Sequence, residues 1–248
     1  MWQNNPMKTL CAVAVSLLIL APALRADPLA DFQSRARAEL IKPFALDLGG
    51  LLGSASAHTG RTIGFPGFWA GVVGSVQTRP DKNNMILRNA GVTAFGLPMA
   101  EVGVGLPFKV DVIVHGAKAY GATILGGGLR YGLYRTELLT SFLPNVSVSA
   151  FGNKFNHKYF SATHGAFNAA ATWDLPIVKP FFLAGFDVTK VTVGSAATPG
   201  VTGLSETARG SRFSAGAELS PLPFIRLRGA YTLRHGLPGF DFGLGAAF

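Results

Sequence analysis

Five histidines supply the candidate general bases: His58, His115, His157, His164 and His235. A hydrolase built on one of them needs a nucleophile within hydrogen-bond reach of the imidazole. Ser161 lies three residues before His164, which in an extended strand puts it on the opposite face. His115 shares its face with Asp111, but four residues along a strand span about 13–14 Å. That is too far for contact, so His115 reads as an isolated histidine on one face of its strand. The chain has no His-Glu-x-x-His, no closely spaced histidine pair, and a single cysteine, Cys11, near its start. It therefore offers no metal set. Gly126-Gly127-Gly128 lacks the Lys-Ser/Thr of a phosphate loop, and no helical stretch follows it. No catalytic residue, cofactor or metal is expected.

The arginines are more informative. Arg226, Arg228 and Arg234 alternate in parity with Ile225, Leu227, Tyr231 and Leu233. On a lipid-facing surface each charge would cost about 2–4 kcal/mol near the midplane, so that parity faces inward. The same reasoning turns Arg130, Arg212, Glu218 and Asp241 inward. Asp241, Glu218 and Asp187 are cross-strand partners for these arginines. The result is either a salt-bridged lumen that stabilises a narrow barrel or a basic constriction that selects anions.

These side chains need strands to position them. The chain is 48% hydrophobic with 31 glycines and 19 phenylalanines. After the first two dozen residues, however, no apolar run approaches the length of a membrane helix. Dispersed apolar residues at period two are the signature of half-buried strands. Ten such runs are expected, at roughly 68–78, 92–105, 108–117, 122–135, 144–153, 159–174, 179–190, 210–219, 224–235 and 239–248. Twelve is the alternative if Phe44–Phe65 supplies two more. Connections near 105–107, 174–180 and 220–223 read as short turns at one end of the strands, with Thr136–Pro144 a longer link at that same end. Trp69, Tyr120, Tyr134, Tyr159, Phe160, Trp173, Phe181, Phe224, Phe240 and Phe248 fall near strand ends, where interfacial girdles would place them.

The N-terminus reads as a secretory signal over residues 1–26. Lys8 precedes an apolar run from Leu10 to Ala21, and small residues follow at Ala23 and Ala26. Cys11 lies inside that signal, so the mature chain has no disulfide and no thiol chemistry. Residues 27–67 form a separate segment. Leu29, Phe32, Ala36 and Leu40 have helical spacing, Pro43 ends the helix, and a Gly-rich stretch from Leu48 to Gly60 follows. The segment is expected to plug or cap the periplasmic mouth. In layout it resembles the N-terminal hatch of long-chain fatty-acid transport barrels, which are much longer chains. Residues 68–248 form the barrel.

Phe240, Phe242, Leu244, Ala246 and Phe248 alternate with small or acidic residues up to an aromatic carboxy-terminus. With a signal peptide at the other end, this resembles the assembly signal of bacterial outer-membrane β-barrel proteins, carried here by Phe240, Phe242, Leu244 and Phe248. The resemblance implies an all-β antiparallel transmembrane barrel in the outer membrane. Its implied partners are outer-membrane lipids, lipopolysaccharide and the barrel-assembly machinery. The net charge of +9 is scattered rather than gathered on one face, which argues against nucleic acid. Three function classes remain: a small channel or transporter for low-mass solutes, apolar ones included; a structural or surface-interaction barrel; and, more remotely, a lipid-modifying membrane enzyme.

Overall fold

A computed structural model describes residues 27–136 and 142–248. The signal expected over residues 1–26, with Cys11, and the middle of the 136–144 link lie outside the described residues. Ten strands alternate direction around a closed barrel: β1 (Phe68–Gln77), β2 (Phe95–Leu106), β3 (Val110–Ala119), β4 (Ala122–Tyr134), β5 (Asn145–His157), β6 (Phe160–Thr172), β7 (Val178–Val193), β8 (Ser205–Leu219), β9 (Ile225–Arg234) and β10 (Leu237–Ala247). Each strand pairs antiparallel with its sequence neighbour. The wall closes through β1 against β10, where Val72 faces Leu244 and Ser75 faces Asp241. Closure leaves no open edge.

The side-chain period decides what each face meets. Outward residues of β4 are Leu125, Leu129, Tyr131 and Leu133, and those of β10 are Phe240, Phe242 and Leu244, all exposed. Inward residues of the same strands are small or charged: Gly126, Gly128 and Arg130 on β4, Asp241 and Gly243 on β10. An apolar outside with a polar inside is the arrangement a lipid-embedded barrel requires. Strands β5, β7 and β8 run longer than the alternation predicts. Their additional residues lie at the mouth opposite the chain's carboxy-terminus, called here the far mouth. The mouth where β1 begins and β10 ends is the terminal mouth.

The segment before the barrel differs most from the sequence-based expectation. A short helix α1 (Phe32–Arg35) precedes α2 (Ala38–Ala55), which carries Pro43 inside it and runs on through Gly49, Gly50 and Gly53. Proline there removes one intrahelical bond and glycine weakens a helix interior by about 1 kcal/mol each. Tertiary packing overrides both. Twelve of the eighteen residues of α2 are buried, Ile41, Phe44 and Leu52 among them. The glycines are there because the barrel is narrow. A Cβ on Gly49 would collide with Thr189, and one on Gly53 with Arg212 and Asp187.

The path of this segment also differs. Rather than capping the terminal mouth, residues 27–37 sit at the far mouth, where Gln33 and Ala36 bond Ser195, Ala197 and Thr198 of the β7–β8 loop. α2 then descends through the lumen. Residues 56–67 leave it as an irregular, turn-containing stretch at the terminal mouth, and Gly67 adjoins Phe248. Between β1 and β2 a third helix, α3 (Met85–Asn89), buries Ile86 and Leu87 over the far mouth.

The girdle reading is corrected for several aromatics. Trp69, Phe160 and Phe181 point inward, and Tyr120 and Tyr159 pack on the far-mouth core. Phe224, Phe240 and Phe248 are exposed.

Candidate functional site

The lumen holds the chain's buried polar chemistry, in layers set by strand register and by α2. At the far mouth the layer is apolar. Phe32, Phe44, Phe155 and Phe160 pack in tilted, edge-on and stacked pairs with centroids 4.6–5.3 Å apart, joined by Leu51, Leu87, Phe95 and Leu97. One carboxylate enters this crown from α2. Asp47 accepts bonds from Gln77 Nε2 at 2.7 Å, Asn84 Nδ2 at 2.7 Å and the Asp81 amide at 2.9 Å. Burial pushes its carboxyl up to about 6, against the pull of those donors and with a smaller upward push from Asp81. Asp47 thus ties the lumen helix to the β1–β2 loop.

The middle layer is ionic. Arg212 on β8 reaches across to Asp187 on β7, its Nη1 lying 3.1 and 3.0 Å from the two carboxylate oxygens. Its Nη2 donates to Asn168 and lies 3.5 Å from Ser56 Oγ just beyond α2. Two imidazoles flank the same carboxylate: His164 Nε2 at 3.7 Å and His235 Nε2 at 3.4 Å. Beside this group Arg234 pairs with Asp241, donates to Ser54 on α2, and bonds the Val76 carbonyl at 3.0 Å. Thr232 donates to Asp241 and lies 2.9 Å from Ser214. Arg212 and Arg234 are the largest fully buried side chains. Such charges persist in a lumen only when paired and hydrogen-bonded.

Thr189 Oγ1 lies 2.8 Å from His164 Nδ1. The order hydroxyl, imidazole, carboxylate (Thr189, His164, Asp187) has the logic of an activated nucleophile. Its geometry is poor, however. The imidazole–carboxylate gap is 3.7 Å, and Thr189 is 2% exposed beneath Gly49.

The terminal layer surrounds residues 56–63. His58 bridges the Ser56 carbonyl and Glu101 Oε2, each at 3.0 Å, and stacks on Phe151. Trp69 Nε1 donates to the other Glu101 oxygen at 2.8 Å. Arg130 donates to Asp111 at 2.7 Å and reaches the Thr59 carbonyl at 3.3 Å; Asp111 accepts the Ile63 amide at 3.1 Å. Below this lies a small cavity of about 40 Å³ lined by Trp69, Glu101, Arg130, Glu218, Arg226 and Arg228 among others.

The seven charged residues singled out in the sequence all sit on the inward face. Arg130, Arg212, Glu218, Arg234 and Asp241 are buried, and Arg226 and Arg228 are half-buried. Three of these arginines have partners that alternation placed on the lumen face: Asp111 for Arg130, Asp187 for Arg212 and Asp241 for Arg234. Arg228 stands opposite Glu218 in register. Among the described residues neither Arg226 nor Arg228 comes within 4.0 Å of a carboxylate. His115 meets Asn153 and the Phe151 ring rather than Asp111. Sequence reasoning missed Asp47, Ser54, Ser56 and Glu101, and named His58 only as a candidate base without a partner. Only Glu101 carried a signal, its parity with inward Leu97 and Met99.

No family model and no characterised protein sequence matches the chain. Among solved structures, the N-terminal β-barrel domain of Pseudomonas aeruginosa OprF aligns at 10% identity over 73% of this chain and 97% of that one, with a TM-score of 0.36. The attachment invasion locus protein Ail of Yersinia pestis aligns at 13% identity over 74% and 100%, TM-score 0.31. The translocator domain of the autotransporter NalP from Neisseria meningitidis aligns at 9% over 88% and 99%, TM-score 0.38. None of these likenesses is close enough to bear on function. The closed ten-strand wall, the apolar outer face and the polar lumen give this chain the architecture of a transmembrane β-barrel.

Proposed function

We propose that the protein is a plugged conduit of the outer membrane, with its terminal mouth in the periplasm. It is closed at rest by α2 and passes low-mass solutes when α2 shifts. The observation that carries this reading is the ionic wall behind the helix. A lumen that only had to be stable would gain from apolar filling, since buried ion pairs are often 1–4 kcal/mol less favourable than well-packed hydrophobic residues. Here Asp187, Arg212, Arg234 and Asp241 line the wall, and Gly49, Gly53, Ser54 and Ser56 of the plug segment face it. Water can solvate such a wall once the helix moves; an apolar wall would resist wetting. Arg226 and Arg228 at the terminal mouth bias passage toward anions. No chemistry on the solute belongs to this reading, because Thr189 and His164 lie sealed beneath α2.

The test is conductance of the refolded protein in planar bilayers. The native chain is expected to be silent or to open rarely. Gly53→Val, whose added carbons would meet Arg212 and Asp187, should give discrete steps with an anion preference. Adding Arg226→Ser and Arg228→Ser should remove the preference. If Gly53→Val folds, as scored by heat-modifiable gel migration, yet stays silent, the barrel is a closed scaffold and the surface-interaction reading replaces this one.

A further inference from the structure

The outer face of the barrel is not uniform at the far mouth. On β9, β10 and β1 its outward residues there stay apolar: Tyr231 and Leu233, Phe240, Val76. On β5 to β8 they turn polar and basic: Lys154 and Asn156, Ser161 and Thr163, Lys190 and Thr192, Thr207 and Arg209. These four strands are also long, at 13, 13, 16 and 15 residues. Register assembles the polar residues into one row. Lys154 faces Thr163, Thr163 faces Lys190, and Lys190 faces Thr207. Arg209 lies one outward step below Thr207, opposite Val188.

The spacing follows from sheet geometry. Strands lie about 4.8 Å apart, so Lys154 and Lys190 stand about 10 Å apart across Thr163. Lys190 and Arg209 are diagonal neighbours about 7–8 Å apart. All three cations are exposed. Among the described residues none of them is within 4.0 Å of a carboxylate. Glu206, the acid at this end of β8, is on the inward face, by parity with Ala208 and Arg212.

Their height is set by β7. Its outward residues from Val178 to Val188 include Phe182, Ala184 and Phe186 and carry no charge. Ten residues at about 3.4 Å each, tilted about 40°, rise about 25 Å, the thickness of the apolar band of such a barrel. Lys190 is the next outward residue. It therefore stands at the membrane surface, where headgroup phosphates lie, and with the strands tilted about 40° Lys154 and Arg209 fall within about 8 Å of that level.

We infer that this face of β5–β8 binds a multiply phosphorylated saccharolipid of the outer leaflet, the chemistry of lipopolysaccharide. The three cations span about 16 Å, each within about 10 Å of the next, and match more than one phosphate. Arg209 can grip a phosphate through two parallel N–H donors, and the hydroxyls of Thr163 and Thr207 sit between the charges. The inference rests on the terminal mouth being periplasmic, as proposed above, but not on conduction.

The experiment uses the refolded mature chain in zwitterionic phospholipid nanodiscs. Purified lipopolysaccharide, its dephosphorylated form and phosphatidylglycerol are titrated in turn. The native chain is expected to bind lipopolysaccharide at least tenfold more tightly than either of the others. Lys154→Gln, Lys190→Gln and Arg209→Gln combined should abolish that difference while leaving heat-modifiable migration and conductance as in the native chain. Equal binding by the native and triple variants overturns the inference, as does equal affinity for phosphatidylglycerol. Failure of the chain to show heat-modifiable folding in any bilayer would overturn the membrane reading and this inference together. Silence of Gly53→Val would affect only the conduit.

Discussion

Arg212 has no exposed surface, and its charge is answered by Asp187, with Asn168 and Ser56 taking further donors. Its inward direction was legible in the sequence, because Arg212, Ser214 and Glu218 oppose Phe213, Ala215 and Leu219 by parity alone. Its partner was legible only as a charge on the lumen face, since register across β7 and β8 cannot be read from one sequence. His58 and Glu101 were illegible as a pair. They are 43 residues apart and meet only because the plug segment passes β2. The consequence for stability is specific. Arg212→Met strands a buried carboxylate and should destabilise the barrel by about 3–5 kcal/mol, whereas Arg212→Met with Asp187→Leu should be close to neutral or stabilising. Urea unfolding in detergent micelles measures both. A single variant that costs no more than the double would mean that His164 and His235 already neutralise Asp187 in the native protein.

At the scale of elements, the strands were legible because one physical constraint writes them: lipid on one face and a packed lumen on the other impose period two. The helix inside was not. Gly49, Gly50 and Gly53 lower helix propensity, and Pro43 removes a backbone donor, so local rules end the helix where it begins to matter. What they miss is the width of the lumen. A Cβ at Gly49 would come within 3.1 Å of Thr189 Cβ and closer to its hydroxyl. Gly49→Ala therefore sets a gain of about 1 kcal/mol in helix propensity against overpacking of about 1–3 kcal/mol. The expected outcome is net destabilisation, read as faster amide exchange across α2 with the strands unchanged. Thr189→Ala in the same chain should return part of the protection. Faster exchange in the double variant than in Gly49→Ala would mean that the His164–Thr189 bond, rather than close approach, holds the helix.

The whole molecule adds a constraint that neither scale contains: the chain passes through its own barrel. Asp27 and Leu29 lie near Tyr120 and Phe155 at the far mouth, while Gly67 meets Phe248 at the terminal mouth. To enter a barrel already closed, about forty residues would have to be pushed in through the terminal mouth, N-terminus first, past Arg212 and Arg234. Seating the helix before β1 closes on β10 avoids that route, because the seam can form around a segment already in place. Either order leaves the same topology, and it is one the sequence did not disclose, since the segment reads equally well as a cap on the near side. A short epitope placed before Asp27 should therefore be labelled on intact cells together with an epitope in the 194–204 loop, while one in the 173–177 turn should require permeabilisation of the outer membrane. If the first epitope follows the 173–177 turn instead, the segment docks from the terminal side and the threaded arrangement fails. If all three labels exchange sides, threading stands and the membrane orientation is inverted, which would move the basic face of β5–β8 to the periplasmic leaflet.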